Sequence, residues 1–186
     1  MTSAIRGTGR AVRTFLFPEV AYTGSVEEKI GLLVPAYAHW IDYRGPPFAE
    51  ESFYRHPNGS VEIAFVDRGK LSTAAAVYAL RLREEGLEFV LRVRSQSHLT
   101  NGTREKLEEL ANKGYAIRKG TTPDGPAEIT RVFKPHDNRL LLKTAAKTLE
   151  QCYAELQPVC DAIRAQARRC TARRIRAQSA TSLSPA

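Results

Sequence analysis

The chain has 186 residues, 42% of them apolar, and 28 Lys and Arg against 20 Asp and Glu give a net charge of +8. Such a length and composition predict one globular domain with tails. They exclude a membrane-spanning helix, because no apolar run approaches the length a bilayer needs.

The charge is unevenly spread. The first fourteen residues hold Arg6, Arg10 and Arg13 and no acid, and Arg164–Ala186 holds six arginines and no acid. Taking those nine away from +8 leaves −1 for the body of the chain. We therefore divide the chain into a basic arm at 1–14, a single domain at 15–163 and an Arg-rich tail at 164–186. Phe15-Leu16-Phe17 is too short to be the apolar part of a signal peptide, so a soluble, cytoplasmic protein is expected. Cys152, Cys160 and Cys170 share one late segment, and an odd, clustered count gives no disulfide framework.

In chain order, Thr14–Tyr22 reads as a short extended piece broken at Pro18. Ser25-Val26-Glu27-Glu28 is a capping box, which predicts a helix through Leu33, Tyr37, Trp40 and Ile41, kinked or shortened at Pro35. Phe48–Tyr54 reads as a short helical turn behind Pro47. His56-Pro57-Asn58-Gly59 is a turn, and a strand over about 60–67 follows.

The most informative stretch is Ala75–Gln96. Leu80 and Leu82, then Leu87, Phe89, Leu91 and Val93, alternate with Arg81, Arg83, Glu88, Arg92 and Arg94. This period of two predicts a hairpin of strands at about 75–83 and 87–96, closed by a four-residue loop, Arg83–Gly86, with Gly86 in the left-handed position. The loop length opposes Leu82 with Leu87, Leu80 with Phe89 and Tyr78 with Leu91. A slip of one residue would mix the two faces. The competing reading makes Ser72–Glu85 a helix.

Thr103 is positioned to cap a further helix that Gly114 would close. Strands follow at about 115–118 and 127–133. Leu142, Leu149 and Leu156 recur every seven residues, as do Ala145, Cys152 and Val159, predicting a long C-terminal helix bent at Pro158. The fold class is α+β, a mainly antiparallel sheet packed against helices.

No cofactor or metal is implied. The four histidines show no metal-ligand spacing, and Cys152 and Cys160 fall on a helix stripe where a small buried hydrophobe is the default. Asp67 and Lys70 are the only pair that suggests a metal-dependent nuclease, and the Glu-x-Lys expected on the next strand is missing. Binding is better supported. Arg81, Arg83, Arg92 and Arg94 share the polar face of the hairpin, Arg68 and Lys70 form a basic turn beside it, and arginine matches phosphate oxygens in pairs. Arg44 and Arg55 interleave with aromatics, of which Trp40, Tyr43 and Tyr54 are candidates to stack on a base. Glu88 is expected to pair with Arg81.

The succession of VEIAFVD, the hairpin AVYALRL…LEFVLRV, a helix, AEITRVF and LLLKTAAKTLEQCYAEL resembles the N-terminal recognition domain of McrBC-type modification-dependent restriction systems. The resemblance covers about residues 55–163 and implies an α+β DNA-binding domain that extrudes a modified cytosine into an aromatic-lined pocket. No GTPase module follows within these residues, unlike that family's usual context. The expected partner is DNA, and the chain is read as non-catalytic. Two alternatives remain: a protein-interaction module of a phage or defence system, docking a partner or a second copy through residues 37–54 or through the long heptad-like C-terminal helix, where charging Leu149 would break a dimer, and a metal-dependent nuclease.

Overall fold

The computed structural model describes residues 25–45, 48–83, 86–122, 124–133 and 142–181. The arm at 1–14, the extended piece at Thr14–Tyr22 and the tip of the hairpin at Glu84-Glu85 lie outside them. The elements are α1 (Val26–Arg44), β1 (Glu50–Arg55), β2 (Val61–Val66), β3 (Ala76–Arg83), β4 (Gly86–Val93), α2 (Asn101–Asn112), β5 (Ala116–Lys119), β6 (Ala127–Phe133) and α3 (Leu142–Thr181). The strands form one six-stranded sheet in the order β1-β2-β3-β4-β6-β5, antiparallel at every step.

The hairpin has the register its alternation demands. Leu82 faces Leu87, Leu80 faces Phe89 and Tyr78 faces Leu91, and pairing continues to Arg83–Gly86. The helical alternative for Ser72–Glu85 is thereby overturned. Gly86 has a φ of +138°, a backbone that glycine adopts without a Cβ penalty.

Two further expectations are corrected. Phe48–Tyr54 is not a helical turn, because β1 occupies Glu50–Arg55 and pairs with β2. His56-Pro57-Asn58-Gly59 makes the connection, with the His56 amide donating to the Ser60 carbonyl at 2.9 Å. Gains from pairing along β2 outweigh the local helical signal of Pro47. In α2 the cap position falls to Thr100, and the Thr103 hydroxyl donates to the Thr100 carbonyl at 2.8 Å. The capping box of α1 forms as expected, with the Ser25 amide donating to Glu28 Oε2 at 2.7 Å. Pro35 does not shorten α1, which runs 19 residues.

All three helices pack on one face of the sheet or along its β5 side. That face buries Ile63, Phe65, Tyr78, Leu80, Phe89, Leu91 and Ile129 under α1 and α3. Trp40 stands at the centre, within 6.1 Å of Tyr37, Phe48, Phe65, Phe89 and Tyr153 by ring centroid. Leu149, Cys152, Leu156, Val159, Cys160 and Ile163 of α3 are buried in the same core. Leu149 is therefore unavailable to a partner, contrary to the reading that placed a dimer contact there.

Candidate nucleic-acid interface

The sheet face turned away from the helices carries Glu62, Arg81, Glu88, Arg92 and Glu128. Strand register sets acid against base across four strands: Glu62 opposes Arg81, Arg81 opposes Glu88, and Arg92 opposes Glu128. Arg81 donates from Nε to Glu62 at 2.8 Å, from Nη1 to Glu88 at 3.2 Å and from Nη2 to Glu128 at 2.8 Å. Arg92 bonds Glu62 at 2.8 Å and Glu128 at 3.2 Å. Arg83 and Arg118 reach Glu88 at 3.2 and 3.5 Å.

Burial alone would raise the Glu128 carboxyl, but the hydrogen bonds and charges of Arg81 and Arg92 outweigh it and hold it down at about 2. The same contest, with Arg92 and Arg81 prevailing over burial, lowers Glu62.

The Arg81–Glu88 pair is as expected, but the open display of arginines is corrected. The Arg81 side chain is 6% exposed and that of Arg92 33%, and both point along the sheet at carboxylates. Glu62 and Glu128 are the residues that sequence reasoning missed. Glu62 could have been found by extending the register of the hairpin one strand outward. Glu128 could not, because nothing local places β6 beside β4.

A second cluster forms at one end of the sheet. The β2–β3 connection carries Arg68 and Lys70, both exposed, and Arg94 follows β4 at the same end, where its guanidinium donates to the Ser72 carbonyl. The register also brings Lys119, the last residue of β5, to this end. Asp67 takes both guanidinium nitrogens of Arg164, one of them at 3.0 Å, and so ties this end of the sheet to α3. Burial would raise the Asp67 carboxyl, but Arg164 prevails and lowers it.

Compared with known proteins, the chain matches no family model, no curated protein and no solved structure.

Beyond Arg164 the buried stripe of α3 stops, yet the helix continues to Thr181. Arg168, Arg169, Arg173, Arg174 and Arg176 are all exposed there, and among the described residues none of them makes an ion pair. Arg169, Arg173 and Arg176, spaced i, i+4, i+7, share one side of the helix. The nearest acid in sequence is Asp161, which lies 3.8 Å from Arg164.

The remaining predicted residues are scattered. Trp40 is wholly buried, its indole N–H donating to Glu150 at 2.9 Å, so no base reaches it in this conformation. Arg44 lies over the rings of Phe48 and Tyr153, at 4.2 and 4.4 Å from their centroids. Tyr43 and Tyr54 are exposed, and Tyr54 lies with Arg55 on the edge strand β1, at the end of the sheet opposite Arg68 and Lys70. Asp67, the carboxylate on which the nuclease reading rests, is engaged by Arg164 rather than open to a metal.

Proposed function

We propose that this protein binds nucleic acid without catalysis of its own, through the basic end of the sheet and the arginine-rich half of α3. The observation that carries this reading is the run of five exposed arginines, unpaired among the described residues, on a helix anchored by the Asp67–Arg164 pair. Arg68, Lys70 and Arg94 flank the root of that helix. From Arg164 to Arg176 the helix advances roughly 18 Å at about 1.5 Å per residue, a reach over several phosphates of duplex DNA. Phosphate contacts of this kind carry affinity and little sequence information. The tied arginines of the sheet face, Arg81 and Arg92 above all, contribute scaffold rather than contact.

Replacing Arg168, Arg169, Arg173, Arg174 and Arg176 together with Gln keeps helix propensity and removes the charge. A duplex DNA titration at several salt concentrations should then show affinity down at least about tenfold. The slope of log K against log salt should shrink by roughly 0.9 for each phosphate that the helix no longer neutralises. An unchanged slope removes the helix from the interface. The likeness in element order to McrBC-type recognition domains suggests modified cytosine as a further determinant, with Tyr43 or Tyr54 as the exposed aromatic. Equal affinity for methylated and unmodified duplexes would dismiss that part alone.

A further inference from the structure

We propose that two copies of this chain join by antiparallel pairing of β1 with its symmetry mate, extending the sheet through a two-fold axis. Among the described residues β1 is the terminal strand on its side, hydrogen-bonded to β2 alone. In an antiparallel ladder, alternate residues direct both backbone groups to the neighbour and the others direct both outward. The His56 amide bonds the Ser60 carbonyl, which assigns the even positions, Glu50, Ser52 and Tyr54, to β2. Glu51, Phe53 and Arg55 are left with their N–H and C=O groups aimed away from the sheet.

Those three residues dictate the register of a self-pairing. Only outward-facing residues can exchange bonds, and the pairing that overlaps the whole strand sets Phe53 opposite Phe53 on the axis. Glu51 then stands opposite Arg55 of the second copy, twice by symmetry. On the other face Ser52 meets Tyr54, and Glu50 meets His56 just beyond the strand end. The sequence Glu-Glu-Ser-Phe-Tyr-Arg is thus complementary in charge to itself when reversed, in the register the backbone requires. Phe53 and Glu51 lie on the helix side, where Phe53 is half-buried against the core and would pack against its mate. Tyr54, 43% exposed, adds apolar area on the opposite side. α1 packs over β2 and β3. Two α1 helices across the axis would therefore stand about four strand spacings, roughly 19 Å, apart, and do not collide.

The test uses the full chain and light scattering coupled to gel filtration over a concentration series. Wild type should run as a dimer that dissociates on dilution. Arg55→Glu alone sets like charges opposite each other, as does Glu51→Lys alone, and each should be monomeric. Mixing the two variants restores both attractive pairs and should yield a heterodimer. Phe53→Pro removes an outward N–H and leaves the β1–β2 bonds in place, so it should be a folded monomer by circular dichroism. A monomeric wild type at every concentration overturns the proposal, as does a dimer that survives in Phe53→Pro or in both charge variants. None of these outcomes bears on DNA binding by α3, which lies on other residues.

Discussion

Arg81→Ala is expected to destabilise the fold by about 3–5 kcal/mol, the usual consequence of leaving buried charges without their partner. Glu62 and Glu88 are 0% and 1% exposed, and each loses a hydrogen bond to Arg81. Arg92 still reaches Glu62, and Arg83 still reaches Glu88, so the loss is partial at each carboxylate. For a domain with roughly 5–15 kcal/mol in hand, this is a large share. Urea midpoints for wild type and variant measure it, provided the slopes agree. The triple change Arg81→Met, Glu62→Leu and Glu88→Leu should cost less than Arg81→Ala alone, because it removes Arg81 with its two fully buried carboxylates and leaves Glu128 paired with Arg92. If the single variant matches wild type, the network does not hold the sheet.

The network also sets acid sensitivity. Glu128 titrates at about 2 in the folded chain against 4.5 ordinarily. As pH falls below the ordinary value, the unfolded chain takes up its proton first. The stability contributed by ionised Glu128 is therefore complete above about pH 4.5 and lost as pH falls through 2. Glu62 and Asp67, also lowered, act in the same direction. Denaturation curves across this range should show stability falling steeply with acid in wild type and less steeply in Glu128→Gln.

Trp40→Ala should be of similar weight, about 3–5 kcal/mol, from lost apolar burial and the cavity left behind. Five rings surround Trp40, and all five pairings are edge-on or tilted arrangements that favour the ring quadrupoles. Trp40→Phe keeps most of the apolar area and gives up the bond to Glu150, so its melting temperature should lie between the two. Trp40 is the only tryptophan of the chain, so its fluorescence reports on this core directly in wild type. A melting temperature in Trp40→Ala equal to wild type would contradict the packing described.

The hairpin was legible because six apolar residues alternate with arginines on two arms joined by a short turn. A slip of one residue would separate Leu80 and Leu82 from Leu87 and Phe89, and the short turn excludes longer shifts. β1 was not legible, because its strand character comes from a neighbour rather than from its own pattern. Phe53 is its only aliphatic or aromatic residue on the helix side. The interface suffered for a related reason. Charges on alternating positions tell which face they share and say nothing about what stands beside them on the next strand. Arg81 and Arg92 therefore read as exposed until Glu62 and Glu128 were placed. Arg68 and Lys70 share one turn and Arg94 one strand arm in the sequence itself, but the pair that ties this end of the sheet to α3, Asp67 with Arg164, joins residues far apart along the chain.

The position of α3 has a consequence for synthesis. The strands β2, β3 and β4 pair with their immediate sequence neighbours and can form early, as each hairpin leaves the ribosome. Tyr78, Phe89 and Leu91 then await Leu149, Tyr153, Leu156 and Ile163, which emerge last. Until translation passes Ile163, the nascent sheet shows a greasy surface to the cell. A chain arrested before Ala146 should be captured by chaperones or precipitate, while one released after Ile163 stays in solution.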